Sequence, residues 1–110
     1  MTGQSNFFIG AVVYCPGIEP GTLDAYWVRS TEKSDMILKG WATGGPTKGL
    51  VGDYSIIYYD GHGNPSKPFD LRIDLSGEIF HLKWSQKGKQ IYQGIGMLRD
   101  GTIVAGWAPV

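Results

Sequence analysis

The chain has 110 residues, and its ten basic and ten acidic side chains cancel to a formal net charge of zero. This length suits one domain, expected to cover residues 1–110, and the balanced charge argues against nucleic acid or a membrane surface as a partner. The single cysteine, Cys15, excludes an intramolecular disulfide. We therefore expect a reducing, cytoplasmic location, with secretion through an already removed signal as the alternative.

Seventeen glycines and six prolines divide the chain into short segments rich in aromatic and β-branched residues. Glycine and proline disfavour helices, whereas the residues between them favour strands, so the sequence predicts an all-β fold. The predicted strands, in chain order, are Phe7–Tyr14, Thr22–Arg29, Met36–Thr43, Asp53–Asp60, Phe69–Leu75, Glu78–Trp84, Gln90–Leu98 and Thr102–Trp107. The longest loop is 61–68, and Asp100-Gly101 predicts a tight hairpin before the last strand.

The connections between the last four predicted strands are short, which is typical of a meander of hairpins. A meander either closes on itself or packs as two sheets. We therefore expect a single antiparallel up-and-down barrel of about eight short strands, with a two-sheet β-sandwich as the alternative.

A seven-residue pattern, Gly-Thr-(Leu/Ile)-x-Ala-x-Trp, occurs at 21–27 and again at 101–107. Because side chains alternate along a strand, the apolar positions of each copy lie on one face. The two strands are even-numbered members of the meander and run in the same direction. The pattern therefore predicts that Trp27 and Trp107 lie at the same end of the barrel.

Residues 52–107 combine G-D-Y-x-I-x-Y, L-x-I, G-x-x-x-x-L-x-W, Y-x-G-x-G-M and G-T-I-x-x-x-W. This series resembles small bacterial β-domains of the calycin type, the group that holds lipocalin-like and avidin-like barrels. The resemblance implies a barrel that takes a small apolar or amphipathic ligand at its mouth.

The four tryptophans all lie near the ends of predicted strands. Trp27, Trp84 and Trp107 end strands of the same direction and are the expected ligand-binding walls, whereas Trp41 is expected at the opposite mouth. Tyrosine hydroxyls are expected to orient the ligand; the candidates are Tyr54, Tyr58 and Tyr92. The alternative is that these rings only fill the barrel and surround its rim.

The two histidines, His62 and His81, are the next candidates for a functional role. His62 lies between two glycines of the longest loop and is a candidate lid residue, with a solvated loop histidine as the alternative. His81 alternates with Lys83 and is expected outside. The two histidines lack the spacing of metal ligands, so we expect no metal site and no cofactor.

Three functions remain open from the sequence. The first is a barrel that binds a small apolar or aromatic molecule. The second is a small barrel enzyme, an isomerase or cyclase with one acid–base residue, which a titratable group with a strongly shifted pKa inside the barrel would favour over a binder. The third is a self-assembling structural module, which a filled barrel with no cavity and an aromatic outer patch would favour. A homo-oligomer is compatible with all three.

Overall fold

The computed structural model describes residues 7–33 and 35–110. Its strands are β1 (Gly10–Pro16), β2 (Leu23–Arg29), β3 (Leu38–Thr43), β4 (Gly52–Tyr58), β5 (Phe69–Ser76), β6 (Ile79–Gln86), β7 (Lys89–Arg99) and β8 (Thr102–Pro109). No helix within these described ranges is long and apolar enough to cross a membrane.

The eight strands form one closed antiparallel barrel in chain order. Each strand pairs with its successor, and β1 pairs with β8 to close the sheet. The expected up-and-down barrel is therefore confirmed, and closure excludes the two-sheet sandwich.

The first strand begins three residues later than the sequence predicts. Gly10 is the first paired residue of β1, opposite Arg29 of β2 and Trp107 of β8. β1 therefore begins at Gly10, the first residue that is paired with both neighbouring strands.

The two copies of the seven-residue pattern occupy equivalent positions on β2 and β8. Leu23, Ala25 and Trp27 point inward and are at most 9% exposed. Ile103 and Ala105 are likewise buried, and Trp107 packs against the same core. Both tryptophans lie at the end of the barrel where the even-numbered strands finish, which we call the aromatic mouth. The other end is called the opposite mouth.

Glycines on neighbouring strands make room for the large rings at the aromatic mouth. Trp107 is flanked in register by Gly10 of β1 and Gly94 of β7. A Cβ on Gly10 would lie within 2.2–2.7 Å of the Trp107 indole, and a Cβ on Gly40 would lie 2.8 Å from the Tyr58 ring. The glycines within these strands therefore mark close ring approaches, as expected for glycine in a strand.

The hairpin predicted at Asp100-Gly101 is also present. Asp100 has φ 51° and Gly101 has φ 78°, both in the left-handed region. Two successive residues with positive φ are typical of the type I′ turn, whose twist matches the flanking strands. This turn joins β7 to β8 at the opposite mouth.

The glycine packing generates a stability prediction. In Gly94→Ala, the new Cβ would lie 2.8 Å from the carbonyl oxygen of Gly106 and 2.9 Å from the Trp84 ring. Because backbone and a buried ring cannot easily move, we expect the free energy of unfolding to fall by about 1–3 kcal/mol, measured by urea denaturation.

Gly106→Ala is the matched control on the adjacent strand, because its Cβ would meet nothing closer than 3.8 Å. We expect this variant to be neutral or more stable by up to about 1 kcal/mol. Equal destabilisation of both variants at the same protein concentration would contradict the packing argument.

Candidate ligand-binding site

A cavity of about 270 Å³ opens at the aromatic mouth. Its inner wall includes the buried residues Val12 and Trp84, and its outer wall includes the exposed residues Asp60 and Asn64. The cavity therefore runs from the core to the surface. Among the described residues, its aromatic lining consists of Trp27, Tyr58, Phe69, Trp84, Tyr92 and Trp107.

Five of these rings contact one another in a closed cycle, which we call the aromatic collar. The centroid distances are 5.7 Å for Trp27–Tyr58, 5.8 Å for Tyr58–Phe69, 5.7 Å for Phe69–Tyr92, 5.1 Å for Tyr92–Trp107 and 6.2 Å for Trp107–Trp27. Four of the five contacts are edge-to-face. Such pairs are worth about 0.5–1.5 kcal/mol each beyond the area they bury.

The collar follows from strand direction and alternation. Trp27, Tyr58 and Trp107 are inward residues at the ends of even-numbered strands, while Phe69 and Tyr92 are near the starts of odd-numbered strands. In an up-and-down barrel these ends meet at the same rim, so five strands each contribute one ring.

The floor of the cavity includes Tyr58 and Trp84, which form a hydrogen-bonded cluster with the fully buried core residue Tyr14. The Trp84 Nε1–H donates to Tyr58 Oη at 2.6 Å and approaches Tyr14 Oη at 3.2 Å, and the two hydroxyls are 2.6 Å apart. One hydroxyl donates to the other, so this cluster leaves one hydroxyl proton unused. Burial raises the pKa of both Tyr14 and Tyr58 well above the ordinary value near 10. Both hydroxyls are therefore neutral donors at physiological pH.

Two nitrogen donors near the rim are buried without a hydrogen-bond partner among the described residues: Trp107 Nε1 and Arg29 Nε. Both residues line the cavity. The Arg29 guanidinium lies 5.1 Å from the centre of the Phe8 ring, and its Nε is 3.4 Å from a Glu32 carboxylate oxygen. That contact is an ion pair without hydrogen-bond geometry.

Most of the candidate site residues from the sequence meet in this cavity. Trp27, Trp84, Trp107, Tyr58 and Tyr92 all line it. Whether they bind a ligand remains a prediction.

Tyr54 is elsewhere. It points inward near the start of β4, so it lies toward the opposite mouth and lines a separate recess there. Its hydroxyl donates to the Leu50 carbonyl at 2.9 Å. The structure does not bring Tyr54 together with the other candidates.

Trp41 and His62 also lie outside the cavity lining. Trp41 is 48% exposed on the outer wall of β3, because Gly40 and Ala42 occupy the inward positions. Trp41 lies late in β3, opposite Asp24 near the start of β2, so it is at the expected end of the barrel, but its side chain points outward and not into the opposite mouth. His62 is exposed in the loop 61–68, and its backbone N–H donates to Asp60. The loop contributes other residues to the cavity, and a lid role for His62 remains a prediction.

Among the cavity-lining residues that were not candidates from the sequence, alternation along the strands could have found Phe69 and Arg29. Phe69 belongs to the inward face of β5 with Leu71 and Ile73, so alternation extended by one step finds it. Arg29 continues the inward series of β2 by two residues beyond Trp27. A charged residue at an inward-facing position near the end of a strand indicates a polar group at the mouth of the barrel.

Comparisons with known proteins add little about this site. No family model matches the chain, and no solved structure matches it. A protein of Mesostigma viride described as the uncharacterized protein ycf81 is 60% identical over 30 residues, which make up 27% of this chain and 8% of that protein. The chain thus corresponds to a small part of the length of the curated relative it matches.

The buried hydroxyls predict a loss of stability at high pH. Above about pH 10, the tyrosine pKa in an unfolded chain, the unfolded state releases protons that folded Tyr14 and Tyr58 retain. The free energy of unfolding should therefore fall as pH rises, by about 1.4 kcal/mol per pH unit for each such group.

Urea denaturation between about pH 9 and pH 11 measures this slope. Tyr14→Phe should reduce the slope by the contribution of one tyrosine. Tyr26→Phe on the outer wall is the matched control. An unchanged slope in Tyr14→Phe would contradict the buried-hydroxyl explanation.

Proposed function

We propose that this barrel binds a small apolar or aromatic molecule in the cavity at the aromatic mouth. The observation that carries the proposal is the aromatic collar around a cavity of about 270 Å³. Small-molecule sites are concave and mostly apolar, with a few polar groups that fix orientation. The volume is at the lower end for such sites, which favours a ligand of one or two rings.

The calycin resemblance supports the same proposal. Calycin-type barrels bind at the mouth, and closure by eight up-and-down strands is compatible with that group. We propose membership of the calycin group as a fold analogy. A cytoplasmic location is proposed as well, supported by the single cysteine.

The enzyme alternative gains less support from the cavity. The cavity does hold a titratable group with a strongly shifted pKa, the Tyr58 hydroxyl, but the shift is upward because of burial. The hydroxyl therefore keeps its proton near neutral pH and cannot act there as a general base. A neutral hydroxyl that donates a hydrogen bond fits ligand orientation better than proton transfer. We therefore propose binding rather than catalysis.

Filling the cavity floor tests the proposal. Val12 is 3% exposed and lines the cavity, so Val12→Phe would place a ring in the ligand's space. We expect 2-naphthamide, an uncharged two-ring probe, to bind the wild-type protein and to bind Val12→Phe at least about tenfold more weakly, measured by isothermal titration calorimetry.

Trp41→Phe is the matched control, because it alters an aromatic residue on the outer wall. We expect it to bind the probe as the wild type does. Equal binding by Val12→Phe would contradict the proposed site, and a wild-type protein that binds no probe with this two-ring system, charged or uncharged, would contradict the proposed function.

A second candidate function is self-assembly, favoured by an apolar area on the outside of the barrel. In two cross-strand rows, β7, β8, β1 and β2 contribute uncharged outward residues. They are Met97, Val104, Val13 and Tyr26 in one row and Ile95, Gly106, Ala11 and Val28 in the other. We call this surface the outer apolar face.

The proposed occupant of the outer apolar face is a second copy of the chain. Lys39 and His81 pair with the two edges of the face, so an uncharged centre is bordered by polar residues, as in many interfaces. A second copy presents the same uncharged surface and buries no unpaired charge on it. A two-fold dimer is the simplest arrangement of this kind.

Sedimentation velocity tests this assembly. We expect the wild-type protein to be a dimer or larger, and Val104→Lys to be monomeric because it places a charge at the centre of the face. Ser55→Lys on the exposed wall of β4 is the control and should leave the assembly unchanged. A monomeric wild-type protein would contradict the second candidate while leaving the cavity proposal intact.

A further inference from the structure

We propose that the ligand carries a carboxylate, which Arg29 and the Trp107 N–H hold at the rim of the aromatic collar. This inference rests on the proposed function, because it assigns the polar group of a ligand in the same cavity. It narrows the ligand class from apolar or aromatic molecules to small ring-containing monocarboxylates.

The first observation is an excess of hydrogen-bond donors. Trp107 Nε1 is buried, lines the cavity and has no acceptor among the described residues. A buried N–H without a partner costs about 1–3 kcal/mol, so native proteins normally provide an acceptor. The indole can only donate, and the missing partner must therefore be an acceptor.

The second observation is the position of Arg29. Gly10 of β1 pairs with Arg29 on β2 and with Trp107 on β8. Arg29 and Trp107 therefore lie on either side of Gly10, and both face the cavity. The guanidinium is held over the Phe8 ring, and Phe8 also contacts Trp107 with centroids 5.0 Å apart. One aromatic ring thus supports both donors from the same side of the mouth.

The two carboxylates at the mouth each have a local partner. Asp60 accepts from the backbone N–H groups of His62 and Asn64 at 2.8 and 2.9 Å. Glu32 is paired with Arg29. The Trp107 N–H, in contrast, has no partner among the described residues.

Arginine suits a second carboxylate in this position. Its planar guanidinium carries five N–H donors, so a ligand carboxylate can bind while Glu32 remains nearby. Glu32 nevertheless competes for the same cation. Removing the charge of Glu32 should therefore strengthen the binding of a carboxylate ligand. An increase in affinity indicates that Arg29 binds the ligand, whereas an arginine that only forms the ion pair would give no increase.

Three probes with one ring system separate charge from shape: 2-naphthoate, 2-naphthamide and 2-naphthylmethylammonium. Isothermal titration calorimetry gives the affinity of each for the wild-type protein. We expect 2-naphthoate to bind about tenfold more tightly than 2-naphthamide, because its hydrogen bonds are charge-assisted. The ammonium probe should bind most weakly.

Variants assign the preference to the two donors. Arg29→Gln and Trp107→Phe should each remove most of the preference for 2-naphthoate over 2-naphthamide, and Glu32→Gln should increase it. Arg99→Gln is the matched control, because Arg99 is an exposed arginine at the opposite end of β7. It should leave all three affinities unchanged.

Each result bears on a defined claim. Equal affinity for 2-naphthoate and 2-naphthamide would overturn the carboxylate inference and leave the proposed function standing. Tightest binding of the ammonium probe would also overturn the carboxylate inference, because it would mean that Glu32 and Asp60 attract cations to the mouth more strongly than Arg29 attracts anions. Failure of all three probes to bind would contradict the proposed function, and the inference with it.

Discussion

The pairing of β1 with β8 is the constraint on which the rest of the structure depends. It closes the barrel and places Gly10 between Arg29 on one side and Trp107 on the other. Because Gly10 has no side chain, the Trp107 indole lies where a Cβ would be. Trp107 then contacts Trp27, Tyr92 and Trp84, so one pairing organises both the collar and its connection to the floor.

The interior of the barrel is divided along its axis by residue type. Its middle is filled by aliphatic side chains such as Ile56, Leu71 and Ile73, which are at most 1% exposed. The aromatic mouth is lined by rigid rings that meet at their edges and leave a cavity beside them. Rings have few rotatable bonds, so they maintain a cavity that flexible side chains would fill. Between these regions, the Tyr14–Tyr58–Trp84 cluster satisfies the Trp84 N–H inside the core.

Alternation with a period of two made the strands and most of the inner face predictable, because a barrel has one apolar side throughout. Position along a strand was harder to predict. Tyr54 and Tyr58 share a face, but four residues separate them by about 13 Å, so they belong to opposite mouths. The end of the barrel at which Trp41 lies was predictable, but its outward orientation was not, because the inward positions of β3 next to it are Gly40 and Ala42. When the inward residues of a strand are small and an outward residue is large, the hydrophobic pattern does not show which side chains face the core. The cavity itself depends on ring contacts across strands, which no local pattern encodes.

The proposed entry of a small molecule into the aromatic collar can be followed at the indole N–H groups. The chain has four tryptophans, whose indole N–H groups give four separate signals in a proton–nitrogen correlation spectrum. Three of them line the cavity, and Trp41 on the outer wall is an internal control. On titration with 2-naphthamide or 2-naphthoate, we expect the signals of Trp27, Trp84 and Trp107 to shift and the Trp41 signal to stay in place. A shift of Trp41 alone, or no shift of any indole signal with either probe, would contradict ligand entry into the collar.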